Sequence, residues 1–169
     1  MRRHIVPFIV RHEPNGRALS HLKSGIGAVI GIAGVGALSS LTGLPLLIAP
    51  LGATVVLLFG QPASPLAQPI NIFGGYLLAT IIGVAVALAF PGLLWVAAVA
   101  VGAAIAGMLV LRVTHPPAGA IPLVALASPA SSASLFVTIL ISCVSLVALA
   151  LVHHRLPPRV QYPRLLPQN

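Results

Sequence analysis

Long apolar runs separated by short polar or proline-rich interruptions organise the chain. From about Ser24 to Leu41, Ile70 to Phe90, Leu93 to Leu111 and Ala133 to Val152, apolar residues continue far enough for a helix to span a hydrocarbon core of about 30 Å. Two further apolar stretches are broken. Leu44 to Gly60 is interrupted at Pro45 and Pro50 and followed by the loop Gln61 to Pro69. Between the third and fourth long runs stands Thr114-His115-Pro116-Pro117-Ala118-Gly119-Ala120, followed by Pro122 to Ser128 and a turn at Pro129 to Ser132. Pro91-Gly92 marks a tight turn. Membrane barrel strands would alternate apolar with polar residues, and these runs do not. The pattern predicts an all-α, polytopic membrane helix bundle.

The order long, broken, long occurs twice, in halves of about 24–90 and 91–152 within a transmembrane domain of 24–152. A shift of 67 positions lays Gly52-Ala53 on Gly119-Ala120, Pro50 on Pro117, and Pro62-Ala63-Ser64 on Pro129-Ala130-Ser131. Proline-interrupted segments at corresponding positions point to a transporter site between discontinuous helices. The expected architecture is two inverted repeats, each with one proline-broken helix. About five extended residues at roughly 3.3 Å plus about eleven helical ones at roughly 1.5 Å reach on the order of 33 Å, so a broken segment is long enough to cross. Six spans are therefore expected, with four spans plus two re-entrant segments as the alternative. Non-helical backbone at that depth must be buried in protein or line a wet cavity.

Composition agrees with a membrane location, since 58% of residues are hydrophobic, 6% are charged and mean hydropathy is +1.07. Of the nine Lys and Arg residues only Arg112 lies inside the domain; the others occupy a basic tail at 1–23 and a basic, proline-rich tail at 153–169. Positive-inside topology accounts for the net charge of +8 without nucleic acid. It places both tails in the cytoplasm, in a bacterial inner membrane, with Gln61 to Pro69 on the same side as Arg112 under the six-span scheme. The short run Ile5 to Val10 is a candidate interfacial anchor. The run from Ser24 reads as a span rather than a cleaved signal, for no cleavage signature follows it. Gly27 and Gly31 are spaced as GxxxG, extended by Gly34 and Gly36, which suits close helix packing and contact between copies in a homo-oligomer. Cys143 stands alone, so neither a disulfide nor a cysteine metal site forms within one chain.

Glu13, in the tail, is the one acidic residue. A membrane domain without Asp or Glu has no carboxylate proton relay and no charged ligand for Na⁺. What remains is neutral or positive: Arg112, His115 and two helix starts. A residue before proline is pushed out of the α region, so Thr114 to Pro116 is expected to be extended and a helix to begin at Pro117. Its first free N–H groups, with the helix dipole, favour an anion. The candidate site for a small anion comprises Pro50, Gly52, Ala53, Thr54, Thr114, His115, Pro116, Pro117, Gly119 and Ala120, with Gln68, Asn71 and Arg112 as further polar lining. The competing reading has Arg112 snorkelling at a helix end and Gln61, Gln68 and Asn71 satisfying freed backbone groups. Gly52 and Gly119 are expected to allow close approach of backbone to solute or to the other half. His115, with an unperturbed pKa of about 6.5, adds a titratable charge, so uptake is expected to improve as pH falls. An enzyme is not expected, because His115 has no carboxylate near it in sequence and His153-His154 is too unspecific for a metal site; no cofactor is expected either. A scaffold or sensor subunit and a passive channel are the alternatives to a carrier.

The heptapeptide Thr114 to Ala120 resembles the signature of the HPP family of integral membrane proteins. Pro50-Leu51-Gly52-Ala53 with Leu57-Leu58-Phe59, and Pro65-Leu66-Ala67-Gln68-Pro69 with Asn71 and Gly74-Gly75, resemble that family's other two blocks in the same order. The resemblance implies a compact membrane domain, often described with four transmembrane segments, and nitrite transport in some plant and cyanobacterial members. It also implies a basic residue after Gln-Pro and a histidine after Gly-Gly, where this chain has Ile70 and Tyr76.

Overall fold

The structure is a computed structural model and describes residues 10, 16–93, 95–127 and 132–164. The segment Ile5 to Val10 (apart from Val10), Glu13 and most of the turn at Pro129 to Ser132 lie outside the described residues. Among the described residues all regular structure is helical, as the apolar pattern predicts. Helix α1 spans Ala18–Thr42, so the last residues of the basic tail form its first turns. It stops at Gly43, whose φ of 70° lets its N–H donate to the Ser39 carbonyl. The chain then runs without regular structure to α2, Pro50–Val55, which passes into a π-helical turn at Val56–Gly60. A short 3-10 turn, Pro65–Ala67, precedes α3 at Pro69–Ala89. Helix α4, Val96–Val110, leads to a second 3-10 turn at Pro116–Ala120, then α5 at Ile121–Ala127 and α6 at Ser132–Arg155.

Helices α1, α3 and α6 are long and apolar enough to cross a membrane; Pro50–Gly60, Val96–Val110 and Pro116–Ala127 are shorter apolar helices. The first half is thus long, broken, long, but the second opens on a short helix, because the long run expected from Leu93 to Leu111 is helical only over the 15 residues Val96–Val110. The two broken helices end at Gly60 and Ala127, positions related by the same shift of 67 that aligns Pro50 with Pro117. Proline suits each start because it lacks the N–H that a helix leaves unpaired there. The helical part of the second unit opens one residue earlier than expected, at Pro116, and as a 3-10 turn.

In the non-helical backbone before α2, Leu46 is tied to side chains of the long helices. The Leu46 N–H donates to the Leu44 carbonyl at 2.8 Å and lies 3.3 Å from Ser39 Oγ, while the Leu46 carbonyl accepts from Ser142 Oγ on α6 at 3.0 Å. Leu46 itself is fully buried. Leu46 therefore meets the condition for irregular backbone at membrane depth, while Pro45, Leu47 and Ala49 on either side of it are exposed.

Hydrogen bonds also fix which ends lie together. Lys23 Nζ donates to the Leu156 and Pro158 carbonyls, both at 2.7 Å, which sets the start of α1 beside the end of α6. His154 Nε2 meets the Leu58 carbonyl at 2.8 Å, Tyr162 donates to the Ala67 carbonyl at 3.0 Å, and His115 Nδ1 meets the Leu66 carbonyl at 2.8 Å. The described tails, the Gln61 to Pro69 loop and the segment after α4 consequently share one end of the bundle. The residues after α6 do not trail away: Tyr162 is buried against that loop.

Helix α3 is the hub, packing on α4, α5 and α6. Its glycines make the close approaches. A Cβ at Gly75 would lie 2.8 Å from His115 Cβ and 3.0 Å from the Val113 carbonyl oxygen, and one at Gly83 would lie 2.8 Å from Pro122 Cα. Gly27 and Gly31 receive the Phe59 ring, so the GxxxG pair serves packing within the chain. Gly52 and Gly119 correct the expectation of close approach to the other half. A Cβ at Gly52 would meet nothing within 4 Å, and one at Gly119 only Ile105 Cγ1 at 3.9 Å.

Helix α4 ends on Arg112, a non-glycine residue at φ 58°, where Arg112 N–H bonds the Leu109 carbonyl and Val113 N–H the Met108 carbonyl. The left-handed conformation costs roughly 1–2 kcal/mol for an L side chain. Arg112→Gly is expected to raise stability by about 0.5 kcal/mol, since strain relief exceeds glycine's added unfolded-state entropy. Arg112→Val is expected to lower it by about 1 kcal/mol, because branching worsens the clash. Unfolding of both variants in detergent measures the pair; equal stabilities would show that the helix end is not strained.

Candidate functional site

The two broken helices face each other. Ala49, Pro50, Ala53, Val56 and Leu57 form one wall of a groove of about 780 Å³, and Pro116, Pro117, Ala120, Leu123 and Val124 form the other. Pro50, Ala53, Pro116, Pro117 and Ala120 are thus brought together as the sequence predicts. The groove's side chains are apolar throughout.

The polar candidates lie elsewhere, sealed behind the helix starts. Thr54, Tyr76 and His115 are all fully buried. Thr54 Oγ1 is 3.0 Å from His115 Nε2 and 2.7 Å from the Tyr76 hydroxyl, and His115 Nδ1 is 2.8 Å from the Leu66 carbonyl oxygen. A carbonyl only accepts, so Nδ1 carries a proton and donates to Leu66. In the neutral ring Nε2 then accepts from the Thr54 hydroxyl, whose oxygen accepts from Tyr76. In the doubly protonated ring Nε2 donates to Thr54, and the Thr54 hydroxyl turns to the Pro50 carbonyl oxygen, 3.3 Å away. One hydroxyl rotation therefore accommodates a proton at His115 with every partner retained.

Each member arrives from a different element. Thr54 sits one turn into α2, Tyr76 two turns into α3, and His115 just before the Pro116–Ala120 turn. Gly75 lets α3 lie against the His115 backbone side. Thr80 continues the polar line along α3 by donating to the Tyr76 carbonyl at 2.6 Å.

The remaining candidates hold backbone in place. Asn71 Nδ2 donates to the Thr114 carbonyl at 3.0 Å, and Thr114 Oγ1 lies 3.4 Å from the Met108 carbonyl oxygen. Gln68 Nε2 donates to the Pro62 and Ser64 carbonyls at 2.9 and 2.8 Å, and its Oε1 accepts the Arg164 N–H at 2.8 Å. Gln68 and Asn71 thus act as backbone staples, and neither lines the groove. Arg112 is exposed at the end of α4, outside the groove. Gly52 is exposed and Gly119 half-buried, neither in the groove wall.

Tyr76 and Tyr162 are the residues that sequence reasoning missed. Tyr76 stands where a histidine was implied and reads as a lost polar group, yet a tyrosine inside an apolar run needs a partner for its hydroxyl. Tyr162, beyond the last helix, bonds the loop that also supplies Leu66; burial pushes its phenol pKa up, which keeps it a donor. Among the described residues no group of three or more His, Cys, Asp or Glu is placed to hold a metal ion.

Fold and site define a class first: an α-helical integral membrane protein in which two proline-started helices meet and are tied by a buried threonine–histidine contact. The HPP transmembrane-region profile matches residues 13–163, and the chain belongs to the HPP family. Two transmembrane proteins of Dictyostelium discoideum are similar to it, one 38% identical over 86 residues and the other 35% identical over 85. Each match covers 48% of this chain, and only 28% and 30% of the relatives' own length. No solved structure matches the chain.

Proposed function

We propose that this protein transports a small inorganic anion, with nitrite the first candidate, between two inverted repeats in a bacterial inner membrane with both tails cytoplasmic. It acts as a transporter, not as a catalyst. The observation that carries this reading is the opposed pair of broken helices. Pro50–Gly60 runs toward the end where Leu58 meets His154, whereas the second unit starts near Leu66 and runs away from that end, to pack Pro122 on Gly83. That antiparallel relation is what inverted halves require, and it supports six crossings over four plus re-entrant loops. The helix starts offer an anion only a positive dipole end, because the expected free N–H groups are spent: Leu51, Gly52 and Ala118 N–H donate to the Ile48, Ala49 and His115 carbonyls at 3.0, 3.1 and 2.9 Å. His115 keeps its partners in either protonation state but lies behind the groove wall, so any rise of uptake as pH falls acts through its Thr54 contact and not through direct contact with the solute.

A specific observation favours the scaffold reading as the second choice. Both His115 nitrogens, the Gln68 amide and the Asn71 amide group are engaged by the protein itself. Flux into liposomes separates the two. The purified protein is expected to carry nitrite, and Ala53→Trp and Ala120→Trp, which fill the groove from opposite walls, are expected to abolish flux while inserting and folding normally. No movement of nitrite or other small anions by the unaltered protein would leave the scaffold; normal flux in both tryptophan variants would move the pathway away from the groove. Linear, unsaturable flux would identify a channel.

A further inference from the structure

Beyond the groove, the end of the bundle where α1 starts and α6 finishes carries a second concavity of different character. A cavity of about 450 Å³ is lined by Lys23, Ser24, Phe59, His153 and His154 among others, and the described residues around it include no carboxylate. Lys23 is fixed there by its two bonds to the Leu156 and Pro158 carbonyls. An ammonium has three N–H donors, so one remains for a ligand. His154 is 3% exposed; its Nε2–H donates to the Leu58 carbonyl, so in the neutral ring its unpartnered Nδ1 is an acceptor. His153 Nε2 is likewise buried and unpartnered, with the ring set edge-on to Phe59 at 5.1 Å. Buried polar nitrogens without partners are costly: the spare Lys23 N–H and His153 Nε2 in its N–H tautomer call for an anion, and His154 Nδ1 calls for a hydroxyl donor beside it.

The neighbouring surface says which anion. A groove of about 450 Å³ shares Lys23, His153 and Pro158 with the cavity and continues along α1 past Leu22, Ile26 and Ile30. Ile26 and Ile30 are about half exposed, and Leu22 more so. A cationic cavity that opens into an apolar channel along a membrane helix matches a phosphate head joined to an acyl chain. Arg155 and Arg159, beside His154 in an adjoining hollow, extend the positive field. Basic pockets between helices at the membrane surface are suited to anionic lipid head groups.

We propose that this end of the bundle is a binding site for one anionic phospholipid, its phosphate held by Lys23 and His153, a head-group hydroxyl donating to His154 Nδ1, and an acyl chain lying along Leu22, Ile26 and Ile30. The site is separate from the groove between the broken helices and does not depend on the transport reading. It ties the ends of α1 and α6 together through the lipid as well as through Lys23.

Native mass spectrometry and thermal unfolding of the full chain in detergent test it, with phosphatidylglycerol, phosphatidylcholine and soluble glycerol phosphate as probes. Phosphatidylglycerol is expected to be retained and to raise the unfolding temperature, the other two not. Lys23→Gln is expected to weaken phosphatidylglycerol binding by about five- to tenfold. Because Lys23 also braces the α6 end, Ile26→Trp is the second variant. It blocks the chain groove from an exposed position and is expected to weaken phosphatidylglycerol binding with the fold intact. Equal retention of phosphatidylcholine overturns the proposal, as does unchanged phosphatidylglycerol binding in Ile26→Trp. Glycerol phosphate that stabilises as well as the lipid makes the cavity a soluble-anion site and overturns the lipid assignment.

Discussion

His115→Ala is expected to lower stability by about 3–5 kcal/mol, the largest loss from any single side-chain truncation in the polar interior. The change strands the Leu66 carbonyl at a part-buried site and takes the ring partner from the buried Thr54 hydroxyl, which is left with Tyr76 and the longer contact to the Pro50 carbonyl. Each buried group left without a partner costs about 1–3 kcal/mol, and the void left by the imidazole adds to that. Thr54→Val should cost less, about 2–3 kcal/mol, because Tyr76 and His115 Nε2 lose one shared partner while Leu66 keeps its donor. The two residues act through one hydrogen bond, so the double variant is expected to be more stable than the sum of the single losses predicts, by about 1 kcal/mol or more. Denaturant unfolding in mixed micelles gives all three values. Additive losses would show that the two broken segments are not coupled through this contact. His115→Gln keeps a donor but does not titrate, so if the transport reading holds its flux should lose the rise at low pH; wild-type pH dependence would make His115 a structural residue only.

The architecture was legible in the sequence because membrane solvation acts on long windows. Four long apolar runs and two broken ones are visible in the hydropathy pattern, although the third long run yields only the 15-residue helix Val96–Val110. The heptapeptide likewise announces a helix start through its prolines. What the sequence did not reveal was direction. Thr54 and His115 both flank a helix start, and nothing in their spacing says whether they point into the groove or behind it. The structure puts them behind it, because Tyr76 on α3 supplies a hydroxyl and the 3-10 turn before α3 supplies a carbonyl. Those partners lie 22 and 49 positions away in sequence. Gln68 and Asn71 were ambiguous for the same reason, since an amide lining a pathway and an amide stapling a loop have the same local sequence. Arg112 was placed correctly at a helix end, but its positive φ follows from how α4 must turn toward His115 and leaves no trace in composition.

Glycine substitutions should divide by sign. Gly75→Ala and Gly83→Ala are expected to destabilise by about 2–3 kcal/mol, whereas Gly52→Ala and Gly119→Ala are expected to be neutral or to stabilise by up to about 1 kcal/mol. The reason lies in what each new methyl meets. At Gly75 it meets His115 Cβ at 2.8 Å and a main-chain oxygen at 3.0 Å, and at Gly83 it meets the Pro122 Cα at 2.8 Å; none of these is the free end of a flexible side chain. Relief therefore demands that α3 move away from the second broken segment, and at Gly75 such movement also pulls Tyr76 from the Thr54–His115 contact. At Gly52 the methyl enters open space, and at Gly119 it makes an ordinary contact. Alanine there only reduces the freedom of the unfolded chain. The second pair then becomes a clean probe of the pathway, since bulk can be added without damage to packing. Gly52→Leu and Gly119→Leu that fold normally but lose anion flux would place the solute against those two positions. Normal flux with normal stability would confine the solute to the groove walls at Ala53 and Ala120, and a large stability loss in Gly52→Ala would mean that the open space beside it is filled in the membrane by another chain or by lipid.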